Sequence, residues 1–86
     1  MKISVELTLT PLQDDFEAPI ISFIKNLRAS GLIVLENPLS TQVYGEYDTV
    51  MGVLQNLIKK SFLSTENVLL QMKIVKTDRS DYEPHF

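Results

Sequence analysis

Residues 2–10 alternate strictly between polar and apolar side chains, and this alternation constrains the fold more than any other feature of the chain. Ile3, Val5, Leu7 and Leu9 fall on one side of the segment. Successive side chains of a β-strand point to opposite faces of a sheet, so the pattern predicts a strand with one buried face. A chain of 86 residues is expected to bury that face inside a single domain.

Two segments have the periodicity of amphipathic helices. The first has its apolar stripe at Phe16, Ile20, Phe23, Ile24 and Leu27. Asp14 and Asp15 precede it as candidate N-cap residues, and Gly31 follows it as a candidate terminating glycine. The second opens at residues 46–48 and has its stripe at Val50, Leu54, Leu57, Ile58 and Phe62. Lys59 and Lys60 are predicted to lie in its last turn, where cations suit the helix dipole.

Further strands are predicted at residues 32–36, 39–44 and 68–75, with a turn at Asn37 and Pro38 between the first two. The order strand, helix, strand, strand, helix, strand predicts an α+β fold of the ferredoxin-like βαββαβ type. Such a fold has a four-stranded antiparallel sheet with two helices on one face. Residues 1–77 are predicted to form this domain and residues 78–86 a polar C-terminal tail.

Composition argues against several classes of partner and compartment. The net charge is −3, with 8 basic and 11 acidic side chains, so no basic face is expected for nucleic acid. No apolar run approaches the length of a membrane span, and residues 1–6 alternate instead of forming an export signal. We therefore expect a cytoplasmic protein with neither a nucleic-acid nor a membrane partner.

Residues that carry enzyme chemistry are scarce. The chain has no cysteine, and its one histidine, His85, lies in the polar tail without a second nitrogen or sulfur ligand for zinc. Asp14 and Asp15 are better explained as helix caps than as paired catalytic carboxylates. A hydrolase of the acylphosphatase type, which shares this fold class, needs an arginine in a phosphate-binding loop, and residues 10–15 contain none. No catalytic residue, metal ligand or enzyme activity is predicted.

Residues 40–48 are unusually rich in functional groups, with two hydroxyls, an amide, two phenols and two carboxylates where a strand ends and a helix begins. One interpretation is a polar strand followed by a helix cap. The other is a recognition site, because hydroxyls and a carboxylate match the ring nitrogens and exocyclic amine of a heterocycle. A carboxylate also offsets a cationic ring, and a tyrosine face stacks on it. The residues alone leave both interpretations open.

Residues 40–48, with Val50 and Met51 after them, resemble the signature of the YkoF-like thiamine-binding family. Similarity extends to the opening strand through Leu12, to residues 20–27 and to residues 68–75. The resemblance implies a ferredoxin-like fold, a homodimer or homotetramer, and binding of thiamine or hydroxymethylpyrimidine without turnover. Thiamine or hydroxymethylpyrimidine would then be the bound ligand, and no cofactor is expected. Longer relatives carry two copies of this domain, so a site that needs two copies would be completed here by another subunit.

Four positions match the motif of that family, namely Ser40, Thr41, Gly45 and Glu46. The resemblance implies that these residues lie in the ligand site. Thr41 and Glu46 are the residues we expect to make polar contacts to the pyrimidine.

Three further candidates come from chemistry alone. Tyr44 or Tyr47 is expected to stack on the ligand, and Glu6 is expected to be a second acidic neighbour. Strand alternation places Thr41 on the core-facing side and Tyr44 and Glu46 on the other. One pocket containing all of them therefore requires a bulge or a cavity at the end of the strand.

The alternative function is a non-catalytic oligomeric regulatory or interaction domain. Its predicted open sheet face carries Tyr44, Leu69 and Val75 among polar residues, a mixture that favours contact with another subunit. Self-association without binding of any heterocycle would favour this alternative over a small-ligand-binding protein.

Overall fold

The computed structural model describes residues 1–86 and contains the predicted strands and helices in the predicted order. The elements are β1 (Lys2–Pro11), α1 (Glu17–Arg28), β2 (Ile33–Glu36), β3 (Thr41–Glu46), α2 (Tyr47–Ser64) and β4 (Val68–Val75). The strands form one antiparallel sheet in the order β2-β3-β1-β4. The predicted α+β ferredoxin-like fold is confirmed.

Strand β1 lies at the centre of the sheet and carries the core. Val5 lies opposite Val43 of β3 and Ile74 of β4, so β1 is paired along both edges. Ile3, Val5 and Leu7 are almost completely buried. The helices supply the other half of the core through Phe23, Leu27, Val50 and Leu54. The opposite face, with Ser4, Glu6 and Thr8 of β1, is not covered by a helix, and we call it the open face.

Helix α1 begins later than the aspartates predict. Phe16 is the N-cap residue, and no side chain caps the helix. The N–H of Phe16 instead donates to the Asp14 carbonyl at 3.1 Å. This bond closes a turn that precedes the helix. Pro19 then falls in the first turn, where no backbone N–H is needed. The N-cap prediction for Asp14 and Asp15 is therefore wrong, and Phe16 is exposed instead of packed in the apolar stripe.

Helix α2 and strand β3 also differ from their predicted bounds. Because β1 pairs with β3 as far as Lys2 with Glu46, Gly45 lies within the strand and not at its exit. Helix α2 continues to Ser64, so Lys59 and Lys60 lie before its last turn. Ser61 faces inward, whereas Phe62 is exposed. The prediction that Phe62 extends the apolar stripe is wrong, because Ser61 occupies the inward-facing position at this point of the helix.

The C-terminal segment returns to the open face at Ser4. The buried hydroxyl of Ser4 donates to the Thr77 carbonyl at 2.7 Å and accepts from the Arg79 N–H at 2.8 Å. The division of the chain at residue 77 stays a prediction, but these two bonds attach the start of the tail to the central strand. Neither helix has the length and apolarity that crossing a membrane would require.

Replacing Gly45 with alanine is expected to destabilise the protein by about 1–3 kcal/mol, the usual range for overpacking a core. A Cβ on Gly45 would lie 3.1 Å from Cγ2 of the buried Val50, and the φ of +156° disfavours any side chain. Urea denaturation measures the change. Gly52→Ala is the matched control, because nothing lies near its Cβ and it is expected to stabilise α2 by about 0.5–1 kcal/mol. Equal stability of the two variants would contradict the close approach of Gly45 to α2.

Replacing Ser4 with alanine is expected to release residues 77–79 from β1. Both hydrogen bonds of the hydroxyl would be lost, at a cost of about 1 kcal/mol, and the amide of Arg79 would exchange faster with solvent. Hydrogen exchange followed by NMR measures the release. Ser22→Ala, on the exposed side of α1, is the control and should leave the Arg79 amide unchanged. Slow exchange at Arg79 in Ser4→Ala would mean that other contacts hold the tail.

Candidate ligand-binding site

A cleft of about 210 Å³ opens between α1, the end of β1 and the loop that joins β2 to β3. Helix α1 crosses from the end of β1 to β2, and this path lays Ile20, Phe23 and Ile24 over the sheet. Leu7 and Leu9 of β1 form the opposing apolar surface. The loop, residues 37–40, closes the third side. The cleft is thus enclosed by α1, β1 and the loop between β2 and β3.

Thr41 provides a buried polar group in this cleft. It lies opposite Leu7, on the helix side of the sheet, and is 6% exposed. Its hydroxyl takes part in none of the side-chain hydrogen bonds of the neighbouring loop. A hydroxyl has one donor and two acceptor positions. The Thr41 hydroxyl is therefore free to bond a polar atom that enters the cleft.

The loop that closes the cleft is ordered by its own hydrogen bonds. The N–H of Asn37 donates to the Ser40 carbonyl at 2.9 Å and closes the turn. The side-chain amide of Asn37 donates to the side-chain oxygen of Gln42 at 3.0 Å, and Asn37 also lines the cleft. A longer bond, 3.4 Å, runs from the Thr8 hydroxyl to the Leu39 carbonyl. These bonds hold the polar wall of the cleft near Thr41.

The seven residues proposed from the sequence are not brought to one place. Ser40 and Thr41 line the cleft. Glu6 and Tyr44 lie on the open face. The register between β1 and β3 is continuous from Lys2 with Glu46 to Leu7 with Thr41, so no bulge brings the two faces together. The cavity at the strand end contains Ser40 and Thr41 and does not reach the candidates on the open face.

The remaining three candidates lie at the far end of β3. Gly45 packs against α2, and Tyr47 begins that helix. Glu46 accepts a hydrogen bond from the α-amino group of Met1 at 3.0 Å, with its side chain 57% exposed. None of the three lines the cleft beside α1. The binding roles expected for these three residues stay predictions, and they do not involve this cleft.

A second, wider depression of about 360 Å³ lies on the open face. The tail contributes Arg79 and Tyr82 to it, beside Tyr44 and Gln42 of β3. The Tyr44 hydroxyl donates to the side-chain oxygen of Gln42 at 3.5 Å, a long hydrogen bond. Charges of both signs meet here, because the Lys73 ammonium lies 3.9 Å from the Glu6 carboxylate. This mixture gives the depression no clear preference for one charge of ligand.

An ion pair fixes the end of α1 to the strand that leads into the loop. The guanidinium of Arg28 donates to both carboxylate oxygens of Glu36, at 2.6 and 2.7 Å. The hydrogen bonds from Arg28 lower the pKa of Glu36, and its positive charge acts in the same direction. The two elements that border the cleft are thus joined at their outer ends by a bidentate contact.

Sequence patterns did not identify the apolar side of this cleft or the part played by Asn37. The helical spacing predicts only a core-facing stripe for Ile20 and Phe23, and Asn37 is predicted only as a turn residue. One feature of the sequence could have indicated the site: Asn37 of the turn lies four residues before Thr41, which is on the core-facing side of its strand. No group of three or more His, Cys, Asp or Glu side chains is placed to hold a metal ion.

The fold and the cleft define a small ferredoxin-like domain with a cavity of single-ring size between a helix and a hairpin loop. The chain belongs to the thiamine-binding protein family, whose sequence model matches residues 5–86. The family resemblance noted from residues 40–48 is confirmed. No match was found among curated proteins.

Solved structures share this fold. A Streptococcus pneumoniae protein is 26% identical with a TM-score of 0.84, covering 94% of this chain and 92% of its own. A Thermotoga maritima protein, provisionally named a thiamine biosynthesis/salvage protein, is 22% identical with a TM-score of 0.81, covering 90% of this chain and 85% of its own. A Bacillus cereus domain of unknown function is 16% identical with a TM-score of 0.74, covering 91% and 78%. The last two likenesses show the fold alone.

Proposed function

We propose that this chain binds thiamine or its hydroxymethylpyrimidine half, without turnover, in the cleft between α1 and the β2–β3 loop. Membership of the thiamine-binding protein family supports a ligand of this class. The name of the similar Thermotoga protein points in the same direction. The observation that carries the proposal is the hydroxyl of Thr41, which has no hydrogen-bond partner in the protein and lies in a cleft with apolar walls.

The size of the cleft favours the pyrimidine over the whole of thiamine. Pockets for drug-sized ligands measure about 300–1,000 Å³, and this cleft measures about 210 Å³. One aromatic ring is thus the natural occupant, and the thiazolium would remain outside. The flat faces of a pyrimidine match the side chains of Ile20 and Phe23. Its ring nitrogens and exocyclic amine match the hydroxyl of Thr41 and the amide of Asn37.

The chemistry of the lining supports binding without catalysis. No carboxylate, imidazole, amine or guanidinium lines the cleft, whose polar groups are hydroxyls and an amide. General acid–base catalysis needs a group that exchanges a proton near neutral pH, and hydroxyls and amides do not. The same lining offers no charge for the cationic thiazolium. The neutral pyrimidine alcohol should therefore bind about as tightly as thiamine itself.

Replacing Thr41 with valine is expected to weaken binding of hydroxymethylpyrimidine by about five- to thirtyfold, the cost of about 1–2 kcal/mol for a lost hydrogen bond. Valine keeps the shape of the side chain and removes only the hydroxyl. Calorimetric titration with hydroxymethylpyrimidine and with thiamine measures the affinities. Thr41→Ser, which restores the hydroxyl, should recover most of the lost affinity.

Two controls locate the ligand. Thr10→Val removes an exposed hydroxyl outside the cleft and should leave the affinity unchanged. Glu46→Gln tests the position proposed from the sequence alone. A loss confined to Glu46→Gln would place the ligand at the far end of β3. If the wild-type protein gave no titration heat with thiamine and none with hydroxymethylpyrimidine, the proposal would be overturned.

We also propose that the chain forms a homo-oligomer through its open face. Ile33 and Leu35 of β2 and Leu69 of β4 expose large apolar side chains on this face, whereas Tyr44 is buried. Exposed apolar surface on a small domain favours contact with another protein. A second copy of the chain would bury it.

Leu35→Lys is expected to convert that oligomer to a monomer, because the ammonium would be buried without a partner at the interface. Analytical ultracentrifugation at several protein concentrations measures the mass. Leu63→Lys, at the exposed end of α2 and away from the open face, is the matched control and should stay oligomeric. A monomeric wild-type protein across the whole range would contradict self-association.

A further inference from the structure

We propose that Glu6 is a positioning residue for the cleft, acting through Ser40 from the opposite face of the sheet. The proposal rests on the ligand site described above and assigns Glu6 a different part from direct contact. Glu6 is absent from the lining of the cleft beside α1. Its carboxylate acts on the loop that forms the polar wall of that cleft.

The contact is a charge-assisted hydrogen bond. The Ser40 hydroxyl donates to one carboxylate oxygen of Glu6 at 3.0 Å, and the other oxygen lies 3.9 Å from the Lys73 ammonium. Hydrogen bonds to an ionised acceptor are stronger than those between neutral groups. Glu6 itself is held firmly, because β1 pairs on both sides, with Gln42 and Lys73 opposite this position. The bond therefore ties a loop residue to a strand that is paired along both edges.

Residue 40 lies just beyond the pairing of β3 with β1, so its connection to β1 is made by this side-chain bond. The pairing of β3 with β1 ends at Leu7 with Thr41. Beyond that point, two side-chain hydrogen bonds hold the loop to β1, from Ser40 to Glu6 and, at 3.4 Å, from Thr8 to Leu39. The first is the shorter and the only one with a charged acceptor. It is thus the principal tether of the loop where β3 begins.

The tether sets the spacing of the two polar groups assigned to the ligand. Thr41 is paired with Leu7 and Glu36, whereas Asn37 donates its N–H to the Ser40 carbonyl. A shift of Ser40 would therefore move Asn37 relative to the hydroxyl of Thr41. Groups that must bond two atoms of one rigid ring lose affinity when their spacing varies.

A double-mutant cycle on Glu6 and Ser40 tests the proposal. Glu6→Ala and Ser40→Ala should each weaken binding of hydroxymethylpyrimidine by about three- to tenfold, since each removes the same hydrogen bond. The double variant should bind no more weakly than either single variant. Glu6→Gln keeps an acceptor oxygen for Ser40 and should recover most of the affinity. Glu66→Ala, an exposed carboxylate between α2 and β4, is the matched control and should bind as the wild type does.

Hydrogen exchange at Asn37 tests the positioning role without any ligand. In the unliganded protein, the backbone N–H of Asn37 should exchange several-fold faster in Glu6→Ala and Ser40→Ala than in the wild type, Glu6→Gln or Glu66→Ala. Unchanged exchange in Glu6→Ala would overturn the proposal whether or not the wild type binds pyrimidine. Effects that multiply in the double variant would also overturn it, because Glu6 would then act on the ligand independently of Ser40. Failure of the wild type to bind would count against the proposed function alone.

Discussion

The pairing of β1 with two neighbours is the constraint on which the rest of the structure depends. Because β1 is bonded along both edges, its alternation is imposed on β3 and β4 residue by residue. Ile3, Val5 and Leu7 then face the helices, and Ser4 and Glu6 face the open side. A slip of one residue would exchange the two sets and bury a carboxylate, so one register is strongly favoured.

The same register determines where a ligand can enter. An unbroken ladder sends Thr41 to the helix side and Tyr44 to the open side, although both belong to one polar segment. Where the ladder ends, the loop after β2 leaves the plane of the sheet, and α1 is close enough to form an opposite wall. The candidate site is therefore a feature of the strand end. Thr41 is the last residue of β3 that pairs with β1, and the neighbouring Ser40 is joined to β1 by its side-chain bond to Glu6.

The sequence predicted the number, type and order of the elements because each carries its own periodicity. It was less successful at their ends. Asp14 and Asp15 had the right chemistry for a cap, but the turn closed by the N–H of Phe16 delays the helix. For the site, Thr41 was identified from a family motif, and the apolar wall from α1 was not. Phe23 has the same spacing pattern whether it packs in a core or borders a cleft, so periodicity alone gives no means of separating the two.

By itself, the sequence determined the βαββαβ order, the buried face of β1 and membership of a thiamine-binding family. These properties are local, since they depend on alternation, helical spacing and a contiguous motif. Tertiary structure alone decided that Glu6 and Ser40, 34 residues apart, share a hydrogen bond, and that Thr41 and Tyr44 face opposite ways from one strand. Such contacts depend on register and on how far the helices extend over the sheet. Both are set by packing between distant segments, and no short stretch of sequence carries that information.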